Sequence, residues 1–195
     1  LIALQFSRYT GAQGFAFDFG RSLRAAALAM GGDWHDLGEP DRSNIRLQPL
    51  ARIDEPVEQT WAADWLGQIL LREGIGLTPE IKAHVWSALT SLASAPQGER
   101  TLTGLSALLQ SLPLKQALRP FLLTGPYGTY LDNDTDTLAA NLVQVFETQG
   151  LIGTPPAPSV LAYLFHRIEQ QLDGRPTLIL IDEGWLALDD PTFTD

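Results

Sequence analysis

The sequence contains no cysteine, which excludes thiol nucleophiles, disulfides and thiolate metal sites together. Lysine is almost missing as well, since the 13 basic side chains are all arginine apart from Lys82 and Lys115. No apolar run approaches the roughly 20 residues that a helix needs to cross a bilayer, so a membrane-spanning chain is not expected. The first residues show neither the basic flank nor the small-residue cleavage pattern of a signal peptide. Positive charge is in deficit: 13 Lys and Arg face 23 Asp and Glu, a formal net charge of -10. A surface that negative repels phosphate backbones and anionic lipid heads, so direct DNA binding by this chain is not expected.

What is there is the composition of an ordinary globular chain. Hydrophobic residues make up 45% and charged residues 18% of 195 positions, too apolar for intrinsic disorder and large enough for one complete core. Leu1 to Phe6 has helical apolar spacing with no capping residue before it, which reads as a chain that starts inside a helix and is a fragment. Phe15 to Phe19 reads as a short buried strand carrying Asp18 near its C-terminal end. Arg21 to Met30 reads as a helix stopped by Gly31-Gly32, Asp33 to Leu37 as a second short strand, and Glu39 to Asn44 as a polar turn.

From Val57 to about Pro120 the periodicity becomes helical, with Trp61, Trp65 and Ile69 on one stripe and Val85, Leu89 and Leu92 on another. Thr78-Pro79-Glu80 has the order of a helix start, and Thr103 and Ser159 are read as further caps. Both tryptophans are assigned to the core. Beyond Gly125-Pro126-Tyr127-Gly128, the aspartates Asp132, Asp134 and Asp136 lack the glycine and terminal glutamate of a calcium loop and read as a solvated turn. Leu142 to Phe146 reads as a strand, and Ser159 to Leu172 as a helix with Leu161, Leu164, Phe165, Ile168 and Leu172 facing inward. The expected organisation is an α/β core in two stretches, 1–56 and 121–195, interrupted by an α-helical insertion over 57–120.

The chemistry concentrates at one place. Thr177-Leu178-Ile179-Leu180-Ile181-Asp182-Glu183 is a continuous apolar run ending in two carboxylates, as suits a central parallel strand buried on both faces. Ligands of open α/β sheets sit outside the carboxyl ends of such strands. The shape is that of a Walker B motif, in which the Asp supports a magnesium ion and the following Glu polarises the attacking water. The bland alternative is a buried strand whose two acids cap the next helix. A phosphate-cradling G-x-x-x-x-G-K-[ST] is absent, because Lys82 follows Ile81 and Lys115 follows Leu114. Either the chain is no nucleotidase, or that loop lies before Leu1. His35, His84 and His166 lack the spacing of a metal site, and no G-x-S-x-G elbow occurs.

Several segments, in order, resemble the TrbE-like conjugal transfer ATPases of type IV secretion systems. They are Phe15-Ala16-Phe17-Asp18, Met30 to Leu37, Leu47-Gln48-Pro49-Leu50 with Ile53-Asp54, Thr101 to Leu105, Gly125 to Gly128, Val160 to Glu169, and Ile179 to Trp185. The resemblance implies a partial RecA-like P-loop core of the FtsK/HerA kind, with a parallel sheet and an α-helical insertion. It implies ATP and Mg2+ as ligands, Asp182 as the metal-side Walker B acid, Glu183 as the catalytic glutamate and Asp18 as an acidic position near the nucleotide. For the full-length protein it implies an oligomer on the cytoplasmic face of the inner membrane, peripherally associated and working with other secretion components. A non-catalytic α/β module that docks a secretion partner is the competing reading.

Overall fold

The computed structural model describes residues 2–39, 45–138 and 141–182, which fall into two compact units. The first unites the two ends of the chain, and the second is Arg46–Leu138.

The first unit is a parallel sheet with helices on its faces. Its elements are α1 (Ile2–Phe6), β1 (Gln13–Asp18), α2 (Arg24–Ala29), β2 (Asp33–Asp36), then β3 (Val143–Glu147), α8 (Ala157–Glu169) and β4 (Thr177–Ile181). The strand order is β2-β3-β1-β4, all pairs parallel. Period-two alternation sorts the side chains between the two faces. On one, Ala16 and Val145 pack with Ala27 of α2, with Leu23, Trp34 and Leu180 against them. On the other, the register row His35–Phe146–Phe17 forms an aromatic ladder. His35 stacks on Phe146 at 5.4 Å, Phe146 meets Phe17 at 5.4 Å, and Phe17 meets Phe165 of α8 at 4.8 Å.

The second unit is helical: α3 (Pro56–Arg72), α4 (Pro79–Ala93), α5 (Leu102–Leu108), α6 (Leu112–Leu118) and α7 (Gly128–Leu131), with 3-10 turns at Gln97–Glu99 and Arg119–Phe121. Leu66, Ile69, Leu70, Leu89, Leu102 and Leu105 are fully buried in it, and Trp65 is buried while Trp61, stacked on it at 5.7 Å, is half-buried. Helical residues thus begin close to the expected position 57, but the compact unit is wider than 57–120. It gathers Arg46 to Glu55 and Phe121 to Leu138, because these irregular segments bury Leu47, Leu50, Ile53 and Leu131 in the same unit.

Several local expectations are corrected. Thr78 does cap α4, accepting from the Ile81 N–H at 3.3 Å. For α5 the cap is Thr101, which accepts from the Gly104 N–H at 3.0 Å, whereas Thr103 lies inside the helix. Helix α8 starts at Ala157, two residues before Ser159, since Pro156 and Pro158 already hold the φ a first turn needs. It ends at Glu169, leaving Leu172 48% exposed. Asp132 is no solvated turn residue: it is buried and accepts from the Thr103 N–H at 2.9 Å, the Thr103 hydroxyl and the Leu123 N–H, tying two segments of the helical unit together. The run ending in Asp182 is an edge strand among the described residues, not a central one. β4 pairs only with β1, and Ile179 and Ile181 are 42% and 51% exposed. The expected turn at Glu39 to Asn44 lies mostly outside the described residues.

Candidate functional site

Three parallel strands end in a carboxylate at matching register, and a fourth follows immediately. Asp36 of β2 pairs with Glu147 of β3, and Glu147 pairs with Asp18 of β1. Next to them Asp182 directly follows β4, its N–H bonded to the Phe17 carbonyl at 2.8 Å. The row lies at the carboxyl edge of the sheet, where crevices for ligands form in open α/β folds.

The four acids do different work. Asp18 is fully buried. One carboxylate oxygen accepts from the Ser22 hydroxyl at 2.6 Å and the other from the Leu23 N–H at 2.8 Å, so the side chain organises the turn into α2. Its carbonyl accepts both the N–H and the hydroxyl of Thr148, at 2.9 and 2.8 Å. Glu147 is equally buried and gathers three backbone donors: Gly20 N–H at 3.2 Å and Gln149 N–H at 2.9 Å on one oxygen, Arg21 N–H on the other. Such saturation is how a buried carboxylate stays tolerable. Asp36 accepts from the Gly38 N–H at 3.0 Å and from the Arg21 guanidinium at 3.1 Å. Asp182 alone of the row is exposed.

The sequence therefore points to the correct edge of the sheet but to an incomplete set of residues. Asp18 and Asp182 are brought side by side on neighbouring strands. Glu183 lies outside the described residues. Glu147, Arg21 and Asp36 were not singled out. A signal was present for Glu147, since Val143-Gln144-Val145-Phe146-Glu147 is also an apolar strand ending in an acid. Among the described residues no group of three or more His, Asp or Glu side chains is placed to hold a metal ion by itself. Asp182 nevertheless suits magnesium, which is usually held by one or two carboxylates together with substrate phosphates and water. Among the described residues no helix is long and apolar enough to cross a membrane.

No family model matches the chain. Over 99% of its length it is 37% identical to a probable conjugal transfer protein TrbE of Sinorhizobium fredii, and over all of its length 36% identical to the conjugal transfer protein TrbE of Rhizobium radiobacter. Over 91% it is 28% identical to the type IV secretion system protein virB4 of Bartonella henselae. The chain spans only 30%, 24% and 23% of these three relatives. The solved structure of VirB4 of Thermoanaerobacter pseudethanolicus superposes with a TM-score of 0.67 over 98% of this chain and 81% of that one, at 17% identity, which shows a shared fold. The α/β core with its parallel sheet and helical unit is thus the fold class the sequence led us to expect, and the chain is homologous along its whole length to one segment of the TrbE and VirB4 proteins of conjugal transfer and type IV secretion.

Proposed function

We propose that this chain belongs to a P-loop ATPase that energises conjugative transfer or type IV secretion, and that it contributes the Walker B edge of the nucleotide site. The observation that carries the reading is the exposed Asp182 immediately beyond a parallel strand, in a chain homologous to TrbE along its length. In this role Asp182 holds the metal side of the site. Magnesium, when bound, supplies charge neutralisation to the phosphates of ATP. Glu183 orients and polarises the attacking water as general base. Asp18 and Glu147 contribute indirectly, by fixing the turn after β1 through its N–H groups. The assembled protein works as an oligomer with other secretion components, peripherally at the cytoplasmic face of the inner membrane.

The test uses the full-length polypeptide. Glu183→Gln keeps shape but removes the charge that polarises water, so turnover falls by roughly two to four orders of magnitude while nucleotide affinity barely changes. Asp182→Asn weakens magnesium-dependent nucleotide binding as well as turnover. If both acids only cap a helix, each variant instead loses on the order of 1 kcal/mol of stability with turnover per folded molecule intact. Near-normal turnover in Glu183→Gln sinks the assignment. The 195-residue chain alone, which lacks the phosphate-cradling loop and lysine, hydrolyses ATP no faster than background.

A further inference from the structure

Arg21 is the one non-glycine with a positive φ among the described residues, at 60°, directly after Gly20 at 89°. A left-handed conformation costs an ordinary L-residue roughly 1–2 kcal/mol, and glycine would adopt it freely. What compensates is not obviously stability. The Arg21 side chain is 54% exposed, and its contacts with Asp36 at 3.1 Å and Glu39 at 3.3 Å are surface ion pairs, worth about 0–1 kcal/mol each. A strained residue at a ligand-binding edge argues from conformation toward function.

Position and chemistry say which function. Among the described residues that leave the carboxyl ends of the four strands, residues 19–23, 37–39, 148–156 and 182, Arg21 is the sole basic side chain. It stands amid Asp18, Asp36, Glu39, Glu147 and Asp182. A triphosphate at such an edge requires a cation to offset the surrounding charge. Both of its ion pairs run through Nη2. Its Nε and Nη1 have no partner among the described residues, so three of the five N–H donors of the guanidinium are available without releasing Asp36 or Glu39. The backbone beneath is held by the buried Glu147 carboxylate, which accepts the N–H of Gly20 and of Arg21 itself. The donor is pre-organised on both sides: main chain by Glu147, head group by Asp36.

We propose that Arg21 is a phosphate-binding residue of the nucleotide site, its guanidinium held ready by Asp36 and Glu39 and its strained backbone held by Glu147. The proposal rests on the nucleotide reading given above and adds to it a second charge, opposite in sign to that of Asp182.

Arg21→Gly separates this from a bracing role, because it removes the charge and relieves the strain in one change. In the full-length polypeptide, MgATP affinity and turnover are measured with the melting temperature for Arg21→Gly, Arg21→Lys and Asp182→Asn. The expected result is an affinity about tenfold weaker in Arg21→Gly with its melting temperature unchanged or higher, and partial recovery in Arg21→Lys, which restores charge without the fork. A lower melting temperature with unchanged affinity and turnover per folded molecule would make Arg21 a loop brace and overturn the proposal. Should Arg21→Gly match the parent while Asp182→Asn loses turnover, Arg21 is wrong and the nucleotide reading stands. Parental turnover and affinity in Asp182→Asn overturn both.

Discussion

His35 is a base that the fold prefers neutral. It stacks on Phe146 with its Nε2 buried and unpartnered, and burial lowers its pKa from the ordinary value of 6.5, with the nearby Asp33 carboxylate opposing that shift. Below about 6.5 the unfolded chain therefore binds a proton that the folded chain resists, so stability is fully present above that pH and is lost as pH falls toward the folded pKa. Carboxylates titrate in the same direction further down, so the parent must be compared with His35→Phe, which keeps the stack and cannot ionise. Urea midpoints at pH 8 and pH 5.5 should fall further in the parent than in the variant. Equal falls would mean that His35 is protonated without penalty. Other residue-scale roles were less legible in the sequence than this histidine. Asp18 reads from the sequence as an acid at a strand end, which it is, yet its partners Ser22 and Leu23 belong to a turn whose conformation follows from Gly20 and Arg21. The N–H partners of Glu147 at Gly20 and Arg21 lie 127 and 126 residues away. No local pattern could announce them.

At the scale of elements, strands were more legible than their neighbours. The runs ending at Asp18, Asp36, Glu147 and Ile181 are short, apolar and bounded by glycine or charge, so their existence was readable from composition. The edge position of β4 was not, because a continuous apolar run records which residues avoid water and says nothing about how many strands flank it. Helix starts erred where two candidate hydroxyls lay close together, as with Thr101 and Thr103, since only one can reach the first turn. The loops behind the strands carry their own constraint. A Cβ placed on Gly150 would come within 2.6 Å of the Gly38 Cα, and one placed on Gly38 within 2.7 Å of the Gly150 Cα. Backbone therefore meets backbone between the loops that follow β2 and β3, and no side chain is present to swing aside. Gly150→Ala should destabilise by about 1–3 kcal/mol, the usual range for forced overpacking. An unchanged denaturant midpoint in Gly150→Ala would show that the loops separate at little cost.

At the scale of the whole molecule, the chain enters and leaves the helical unit at almost one point. Arg46 donates its N–H to the Thr137 hydroxyl at 2.8 Å, and Thr137 returns its own N–H to the Arg46 carbonyl at 2.9 Å. Between these ends the unit satisfies its own demanding groups: Gln48 donates to the Gln97 carbonyl, Arg100 to the Ala51 and Ala95 carbonyls at 3.0 and 2.9 Å, and Asp132 accepts from Thr103 and Leu123. Its apolar core is of its own making, from Ile53 through Leu118, and its length is within the usual domain range of roughly 50–250 residues. Those are the conditions under which an inserted segment folds without its host, because excision breaks no internal contact and exposes no pair of distant ends. Residues 46–138 expressed alone should therefore show strong helical circular dichroism and one cooperative urea transition, with dye-accessible apolar surface no greater than in the parent chain. Asp132→Ala in that excised unit should lower the midpoint, since it strands the Thr103 and Leu123 donors. A gradual, non-cooperative melt of 46–138, with strong binding of an apolar dye, would show instead that the helices depend on the sheet for their packing.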